Sequence, residues 1–280
     1  MSEAGVVARK TWRTLEPIHG LIYFAAEAFA AAESLGLPAG FGGYFALRGA
    51  ALGAVPAEVV TATFFNFKPE LVRETIPMAW SLASPEQYLT ARFDAAGQAL
   101  RRVLGDAAEG PVVAEAAELA RVAATEATRW PEGRPLFAAQ AAVDWPDDPL
   151  LVLWHSQNLL REFRGDAHIA ALVAEGVDAV ESMVMHAASG DVPAIALQAT
   201  RGWSAEEWMA GEERCRARGW LADDGSFTDA GRDHRHWVED RTDELSARAY
   251  LPLGEEKCAR LRELCRPLSK TIVASGSFGL

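Results

Sequence analysis

The chain has 280 residues, 39 acidic and 27 basic side chains, a formal net charge of −12 at pH 7, and half of its residues are hydrophobic. This composition predicts a globular protein rather than a disordered chain, and the acidic balance argues against a nucleic-acid binder whose affinity comes from neutralising phosphates. We expect no transmembrane helix, no signal peptide and reduced thiols, hence a cytoplasmic protein that contacts no membrane.

Stretches rich in Ala, Leu, Glu and Arg, which are strong helix formers, predict helices along most of the chain. In chain order these helices cover residues 17–35, 86–104, 112–128, 148–163, 205–218, 229–249 and 254–268. Strand signals are few, and the best lies at Trp220-Leu221 and Ser226-Phe227 around the turn Asp223-Asp224-Gly225. The predicted fold is therefore mainly α with a small β-hairpin.

The first candidate site lies in the predicted helix 17–35. His19, Tyr23 and Glu27 are four residues apart, which places them on one stripe of a helix that starts at Glu16-Pro17. A histidine, a phenol and a carboxylate on one face can pass protons or hold a polar group of a ligand. The alternative is a solvated edge, with Glu27 exposed and His19 bonded to a backbone carbonyl.

An internal repeat pairs residues 40–80 with residues 163–203. The matched positions are Gly42 and Gly165, Ala51 and Ala174, Gly53 and Gly176, Glu58 and Glu181, and Trp80 and Trp203. Just beyond each copy, Ser84 and Ser204 begin capping boxes, with Gln or Glu three residues later. Duplication explains the matched Trp and the matched caps, and chance similarity between two Ala-rich helical halves is the alternative.

The second copy has the clearer order of elements. A capped helix from Ser204 leads through Gly219-Trp220-Leu221 and an acidic turn to a further helix, which Thr228 is able to cap. This order resembles the winged-helix domain of multiple-antibiotic-resistance-type regulators, in which a recognition helix leads into a two-stranded wing and a long helix follows. The resemblance implies two tandem winged-helix-like lobes, residues 1–140 and 141–280, with long packing helices.

A wider resemblance covers nearly the whole chain. Its motifs are Glu16-Pro17-Ile18-His19, Tyr44-Phe45-Ala46-Leu47-Arg48, Ala62-Thr63-Phe64-Phe65-Asn66-Phe67, Leu159-Leu160-Arg161-Glu162-Phe163-Arg164-Gly165-Asp166-Ala167-His168 and Arg201-Gly202-Trp203-Ser204. They look like an actinobacterial family described only as helix-turn-helix. The resemblance implies a fold and a cytoplasmic setting but no reaction. That family often has a histidine after Arg-Glu, and Phe163 here removes any role of that side chain.

The charges on the predicted recognition helix disfavour DNA. The glutamates are Glu206, Glu207, Glu212 and Glu213, and the arginines are Arg214, Arg216 and Arg218. The wing tip is Asp223-Asp224, which sets carboxylates where DNA phosphates would lie. A transcription regulator of this type is therefore the least favoured of three functional hypotheses.

A second polar group surrounds His168. We expect Asp166 to cap a helix whose N-terminal partial charge keeps His168 neutral, while Arg161 and Arg164 crowd the same turn. Two interpretations are open: an Arg–Asp clamp that locks the turn, or an anion site in which arginine binds a carboxylate bidentately. If His19 and His168 meet in space, they are the candidate catalytic residues or the ligands of haem or a metal, although no metal motif is present.

Nine tryptophans are many for one chain and suggest an aromatic pocket between the lobes, although Trp154 and Trp203 are also typical core residues. We expect His155 to face solvent or a cavity. The candidate ligand-binding residues are His19, Tyr23, Glu27, Phe64, Phe65, Asn66, Trp154, Arg161, Arg164, His168 and Trp203.

These features predict a small-molecule-binding protein that senses or sequesters an aromatic or hydrophobic ligand. The ligand itself, the cofactor and the choice between monomer and homodimer stay open. An enzyme that acts on such a metabolite through His19 or His168 is the first alternative, and a multiple-antibiotic-resistance-type regulator is the second.

Overall fold

The computed structural model of the protein describes residues 1–278. The α-helices are α1 (Glu3–Gly20), α2 (Ala26–Ser34), α3 (Gly42–Gly49), α4 (Ala57–Phe64), α5 (Pro69–Thr75), α6 (Met78–Leu82), α7 (Pro85–Leu104), α8 (Pro111–Ala127), α9 (Pro135–Ala141), α10 (Pro149–Ala174), α11 (Ala179–Ala188), α12 (Ala194–Arg201), α13 (Ala205–Ala217), α14 (Asp229–Ala247) and α15 (Gly254–Ala274). The helices predicted from residue 86 onward are confirmed, although α10 continues well past the predicted end at residue 163.

The long helices α1, α8, α10 and α15 form the main core. The face of α8 that packs on α10 is made of small buried residues, namely Ala116, Ala117, Ala120, Ala123, Ala124 and Ala127. Small side chains at helical spacing let two helix axes approach closely. This core runs from Val7 to Ile272 and so takes residues from both sides of residue 140. The division into lobes at 140/141 stays a prediction.

A second, smaller core lies within α11, α12 and α13. Its buried residues are Val180, Met183, Val184, Met185, Leu197, Trp208, Cys215 and Leu221. The helices α11 and α13 cross closely at Gly211, because a Cβ atom there would stand 2.5 Å from Cγ1 of Val180. We call this three-helix group, residues 179–217, the helix-turn-helix unit.

The predicted β-hairpin is not formed as a two-stranded wing. Within residues 1–278 no strand is present, and residues 220–228 contain one isolated antiparallel bridge between Leu221 and Phe227. The chain enters α14 at once, because Thr228 caps that helix by accepting a hydrogen bond from the Gly231 N–H. A Cβ atom on Gly231 would lie 2.0 Å from the Trp220 carbonyl oxygen. The start of α14 thus packs directly on the backbone of Trp220.

The single helix predicted at residues 17–35 is wrong. Ser2 caps α1, which contains Pro17 in its interior and ends at Gly20. A 3-10 turn at Leu21–Phe24 follows, and Ala25 is extended (φ −78°, ψ 135°) before α2 begins. Proline, which is favoured at the start of a helix, here lies near its end, one turn before the chain bends.

The helices α3 and α4 are apolar and contribute Phe45, Val60 and Phe64 to the main core. No single helix within residues 1–278 combines the length and the apolar composition that crossing a bilayer requires. The pair Gly42–Leu52 and Ala57–Phe64, bent by 97°, meets both criteria taken together.

Cys215, Cys258 and Cys265 are unpaired and buried. Burial raises the pKa of Cys258 to about 11 and that of Cys215 and Cys265 to about 12. These thiols are therefore protonated near pH 7, which makes them poor nucleophiles.

Both predicted capping boxes are confirmed. The Ser84 Oγ accepts a hydrogen bond from the Gln87 N–H (3.3 Å), and the Ser84 N–H donates to Gln87 Oε1 (2.8 Å). Ser204 and Glu207 repeat this exchange at 3.2 and 2.8 Å. Local sequence thus determines where α7 and α13 begin, and whether the two segments arose by duplication stays a prediction.

Replacing Ser84 with alanine is expected to lower the free energy of unfolding by about 1 kcal/mol, because one N–H at the start of α7 loses its acceptor. Urea unfolding measures the change. Ser81→Ala is the matched control, because the Ser81 hydroxyl only donates to the Met78 carbonyl at an exposed position. Equal losses in the two variants would contradict the capping role.

Candidate functional site

Three arginines from distant parts of the chain come together at the junction of α3, α10 and α12. They are Arg48, Arg161 and Arg201, and we call them the arginine cluster. Arg161 precedes Glu162, the partner of Arg48, in the chain. The Phe67 ring under Arg201 lies 5.3 Å from the ring of Tyr44, whose hydroxyl binds Arg48. The nearby carboxylates are Glu16 on α1 and Glu162 on α10.

Arg48 and Glu162 form a buried bidentate ion pair. The Arg48 Nε donates to Glu162 Oε1 (2.8 Å), and Nη2 donates to Oε2 (2.6 Å). Nη1 of Arg48 donates to the Tyr44 hydroxyl, and the guanidinium lies 4.7 Å from the centre of the Phe64 ring. Burial alone would raise the pKa of Glu162, but the charge of Arg48, its hydrogen bonds and the charge of Arg161 lower that pKa to about 2. Glu162 is therefore ionised at neutral pH.

Arg161 pairs with Glu16 across α10 and α1. The Arg161 Nε donates to Glu16 Oε1 (3.2 Å), and Glu16 Oε2 accepts from the Trp12 indole N–H (2.8 Å). The two charged side chains keep 31% and 34% of their exposure. This pair is therefore half-buried at the contact between α1 and α10.

His19 and Tyr23 make contact, with 2.9 Å between His19 Nε2 and the Tyr23 hydroxyl. Arg92 donates to the same hydroxyl (3.1 Å), whose oxygen has room for a second donor, so either neutral tautomer of His19 fits the contact. The His19 Nδ1 is 3.9 Å from Glu16 Oε1 and has no hydrogen-bond partner in residues 1–278. Burial lowers the pKa of His19 and raises that of Tyr23 to about 12, so both are neutral at pH 7. His19 and Tyr23 are thus within reach of each other for proton transfer, and Glu16 is not hydrogen-bonded to them.

Glu27 does not share the face of His19 and Tyr23. Because the chain bends at Ala25, the Glu27 carboxylate turns to α7 and binds Arg102 (Oε2 to Nη2, 3.0 Å). The predicted stripe therefore holds for its first two members only.

Arg201 is the member of the cluster without an acidic partner. Its guanidinium lies 4.6 Å from the centre of the Phe67 ring, and Nη1 donates to the Thr200 hydroxyl (2.9 Å). Its Nε has no hydrogen-bond partner, and no carboxylate of residues 1–278 lies within ion-pair distance. Burial is the main cause that lowers the pKa of Arg201. Arg201 is thus a half-buried cation without an acidic partner in residues 1–278.

The segment of residues 64–68 links the arginine cluster to the helix-turn-helix unit. Phe64 and Phe67 contact the arginines, whereas Phe65 points away and packs with the residues of α10 and α14. The backbone carbonyl oxygen of Asn66 accepts a hydrogen bond from the Trp203 indole N–H (3.0 Å). The Lys68 N–H donates to the Arg201 carbonyl (2.9 Å). The predicted set of Phe64, Phe65, Asn66 and Trp203 therefore forms a joint between the two cores and does not line one pocket.

The expected Arg–Asp clamp near His168 is wrong, as is the cap at Asp166. Because α10 continues through this region, Arg164 and Asp166 lie two residues apart on one helix and face different ways. Arg164 pairs with Asp243 and with Glu239 (Nη2 to Oε2, 3.0 Å) on α14. The Asp166 carboxylate instead accepts from the Phe137 N–H (3.0 Å) at the start of α9.

His168 lies two turns along α10 from Arg161. Its Nδ1 is 3.0 Å from the Thr242 hydroxyl, and burial lowers its pKa to about 4. The positive charge of Arg161 contributes to lowering the pKa of both His168 and His19. No hydrogen bond or ring contact joins these two histidines within the described residues.

His155 is fully buried, which corrects the expectation that it faces solvent or a cavity. Its ring lies between those of Phe93 (5.3 Å) and Trp145 (4.9 Å), and neither ring nitrogen has a protein partner. Burial, with a smaller contribution from Arg92, lowers its pKa to about 3. The neighbouring Trp154 is also fully buried, as a core residue.

Comparison with known families identifies the chain. A family model described as a helix-turn-helix family matches residues 8–279. The chain belongs to this helix-turn-helix family. Comparisons with curated proteins and with solved structures found no match. The family match spans both cores and leaves the chemistry of this helix-turn-helix protein to be argued from its own residues.

Sequence reasoning did not identify Arg48, Glu162 and Arg201 as site residues of this helix-turn-helix protein. A usable signal was present, because Tyr44 and Arg48 are four residues apart on an otherwise apolar helix. Glu162 likewise interrupts a run of buried residues on α10. Within residues 1–278 no group of three or more His, Cys, Asp and Glu side chains is placed to hold a metal ion.

Proposed function

We propose that this helix-turn-helix protein binds a small aromatic or hydrophobic molecule that carries a negative charge, and that it senses or sequesters this molecule in the cytoplasm. The observation that carries the proposal is Arg201, a half-buried cation with no acidic partner in residues 1–278. Arg48 and Arg161 are paired with Glu162 and Glu16, so the positive charge of Arg201 is in excess. That excess stands against a chain whose net charge is −12.

The geometry of the cluster suits a carboxylate or a phosphate. A planar guanidinium presents two parallel N–H donors, which match two oxygens of such a group. The rings of Tyr44, Phe64 and Phe67 stand around the arginines, with centroids 5.3 to 6.4 Å apart. They supply apolar contact for a flat molecule next to its charged end.

Entry of a ligand requires movement. A cavity beside Tyr23 and Tyr44 has a volume of about 20 Å³, enough for about one water molecule. Ligand pockets typically measure about 300–1,000 Å³. The segment 64–68 is suited to such movement, because Phe65 has a positive φ of 52° and the Asn66 N–H bonds the Phe64 carbonyl in a tight γ-turn. Non-glycine residues held at positive φ store strain.

The same segment supports a sensing role. Lys68 pairs with Glu207 at the start of α13 (Nζ to Oε1, 2.8 Å). Trp203 and Arg201, which hold the segment from the other side, frame the turn between α12 and α13. A ligand that displaces Phe64 or Phe67 would therefore also shift the helix-turn-helix unit.

The transcription-regulator alternative receives less support. The arginines of the candidate recognition helix α13 are engaged: Arg214 with Asp178 (2.8 Å), Arg216 with Glu212 (3.0 Å), and Arg218 with the Gly176 carbonyl (2.6 Å). The exposed acidic groups at this face are Glu206, Glu213, Asp223 and Asp224, and the exposed arginines Arg214 and Arg218 are paired as described. Acidic groups repel the phosphates that a recognition helix must approach.

An acid–base enzyme is the second candidate, favoured by the contact between His19 and Tyr23. Proton transfer needs groups within hydrogen-bond reach, and the His19–Tyr23 distance of 2.9 Å meets this requirement. Chemical conversion of a bound molecule, rather than binding alone, would favour this candidate over the first.

Calorimetric titration with benzoate and phenyl phosphate is expected to show binding, and benzamide, which lacks the charge, is expected to bind more weakly. Arg201→Met should weaken the binding of the two anions about 10- to 100-fold, because a charge-assisted hydrogen bond is worth about 1.5–3 kcal/mol. Arg232→Met is the matched control, since Arg232 is an exposed arginine paired with Asp229 on α14.

Two results would contradict the proposal. Equal affinity for benzoate and benzamide would show that charge plays no part. An unchanged affinity of the anions for Arg201→Met would place their site elsewhere. Native mass spectrometry of the purified protein complements the titration, because added mass would reveal a retained molecule directly.

A further inference from the structure

We infer that Arg92, in the interior of α7, holds a small monovalent anion of about the size of chloride. This site depends on Arg92 and not on the arginine cluster. It uses the closed form of the cavity beside Tyr23 and Tyr44, so an aromatic ligand that opens this cavity would displace the ion. An unneutralised buried charge, a surplus of hydrogen-bond donors and a cavity of matching size coincide at Arg92.

Arg92 is fully buried and lacks a counter-charge. Its Nη2 donates to Asn158 Oδ1 (2.8 Å) and to the Tyr23 hydroxyl (3.1 Å). No carboxylate of residues 1–278 lies within ion-pair distance of it, and Glu162 is already bound in bidentate fashion by Arg48. Because an isolated charge is costly to bury, a guanidinium at such a position needs a negative partner.

The protein groups around Arg92 cannot become that partner. Tyr23 is neutral at pH 7, because burial raises its pKa to about 12. Asn158 carries no charge, and its amide is fixed by a second hydrogen bond to Gln140 Oε1 (3.0 Å). The positive charge of Arg92 therefore remains uncompensated by its neighbours.

Unpaired donors gather around the same guanidinium. Nε and Nη1 of Arg92 have no protein partner, and the indole N–H of Trp154 has none either. The Trp154 ring lies 5.2 Å from the guanidinium carbon. These atoms only donate hydrogen bonds. A region with surplus donors and a surplus positive charge favours an acceptor that is itself negative.

A cavity adjoins Arg92 and measures about 20 Å³. Its walls include Tyr23 and Tyr44, whose ring centroids are 5.1 Å apart, and Ala28 and Phe29 of α2. The volume accommodates a particle of about the size of a water molecule, which admits a halide and excludes an organic acid.

Thermal unfolding at constant ionic strength tests the inference, with sodium chloride exchanged stepwise for sodium gluconate, whose anion is too large for the cavity. The wild-type Tm is expected to rise with chloride by about 3 °C per tenfold increase above the dissociation constant. Bromide should act like chloride. Arg92→Met should lose this dependence, and Arg121→Met should keep it, because Arg121 is an exposed arginine stacked on Trp145 (4.7 Å).

Bromide-soaked crystals of the wild-type protein give a readout that needs no variant to fold. An anomalous peak beside the Arg92 guanidinium supports the inference, and peaks only at other places overturn it. Two outcomes of the thermal experiment would also overturn the inference. One is equal Tm values of the wild-type protein in chloride and in gluconate, and the other is a chloride dependence of the Tm that persists in Arg92→Met.

Discussion

Replacing Glu162 with alanine is expected to lower the free energy of unfolding by about 3–5 kcal/mol, the usual cost of breaking a buried ion pair. The Glu162 side chain is 1% exposed and accepts two hydrogen bonds from Arg48. Alanine would leave the Arg48 guanidinium buried beside Arg161 with no opposite charge next to it. Urea unfolding followed by circular dichroism measures the loss.

Two controls separate charge burial from simple loss of contacts. Glu115→Ala removes an exposed pair with Arg260, whose partners keep about 45% of their exposure, and should have only a small effect. The double variant Arg48→Met, Glu162→Met removes both buried charges and should recover much of the stability. If Glu162→Ala lowers the free energy of unfolding no more than Glu115→Ala does, the ion pair between Arg48 and Glu162 does not stabilise the packing of α3 on α10.

The helix starts were predictable because they are encoded locally. Ser84 and Ser204 sit beside the residues that complete their capping boxes, so α7 and α13 begin where the sequence indicates. The prediction failed at residues 17–35, where helical periodicity continues in the sequence while the backbone extends at Ala25. Periodicity reports which side of a helix is apolar and does not report where a chain bends to follow its neighbours.

Part of the candidate site was predictable from local spacing. His19 and Tyr23 were found because they lie four residues apart among apolar residues, and Arg161 because it lies close in sequence to Asp166 and His168. The pair Arg48–Glu162 was missed because its members are 114 residues apart, and no local pattern links them. Arg201 was missed for a similar reason, since its importance comes from the missing carboxylate and not from its neighbours in sequence. Sequence alone cannot reveal that a counter-charge is lacking.

Replacing His155 with leucine is expected to raise stability at pH 7 by about 1–2 kcal/mol, because a buried polar ring without a protein partner is exchanged for an apolar side chain of similar volume. The larger effect lies in acid. The pKa of His155 is about 3 in the folded protein, against an ordinary value of 6.5. The unfolded chain therefore binds a proton that the folded protein does not, and stability is lost as the pH falls from about 6.5 towards 3.

At pH 4 this linkage costs the wild-type protein about 2–3 kcal/mol relative to pH 7, and His155→Leu should abolish that part of the loss. Urea unfolding at pH 7, 5.5 and 4 measures it. His236→Gln, on the exposed side of α14, is the control and should keep the wild-type slope. Glu162 acts in a lower window: its pKa is depressed to about 2, so its stabilising charge is lost only below about pH 4.5. A slope between pH 6.5 and 4.5 that survives in His155→Leu would instead assign the acid sensitivity to other buried imidazoles, first of all His168, whose pKa is about 4.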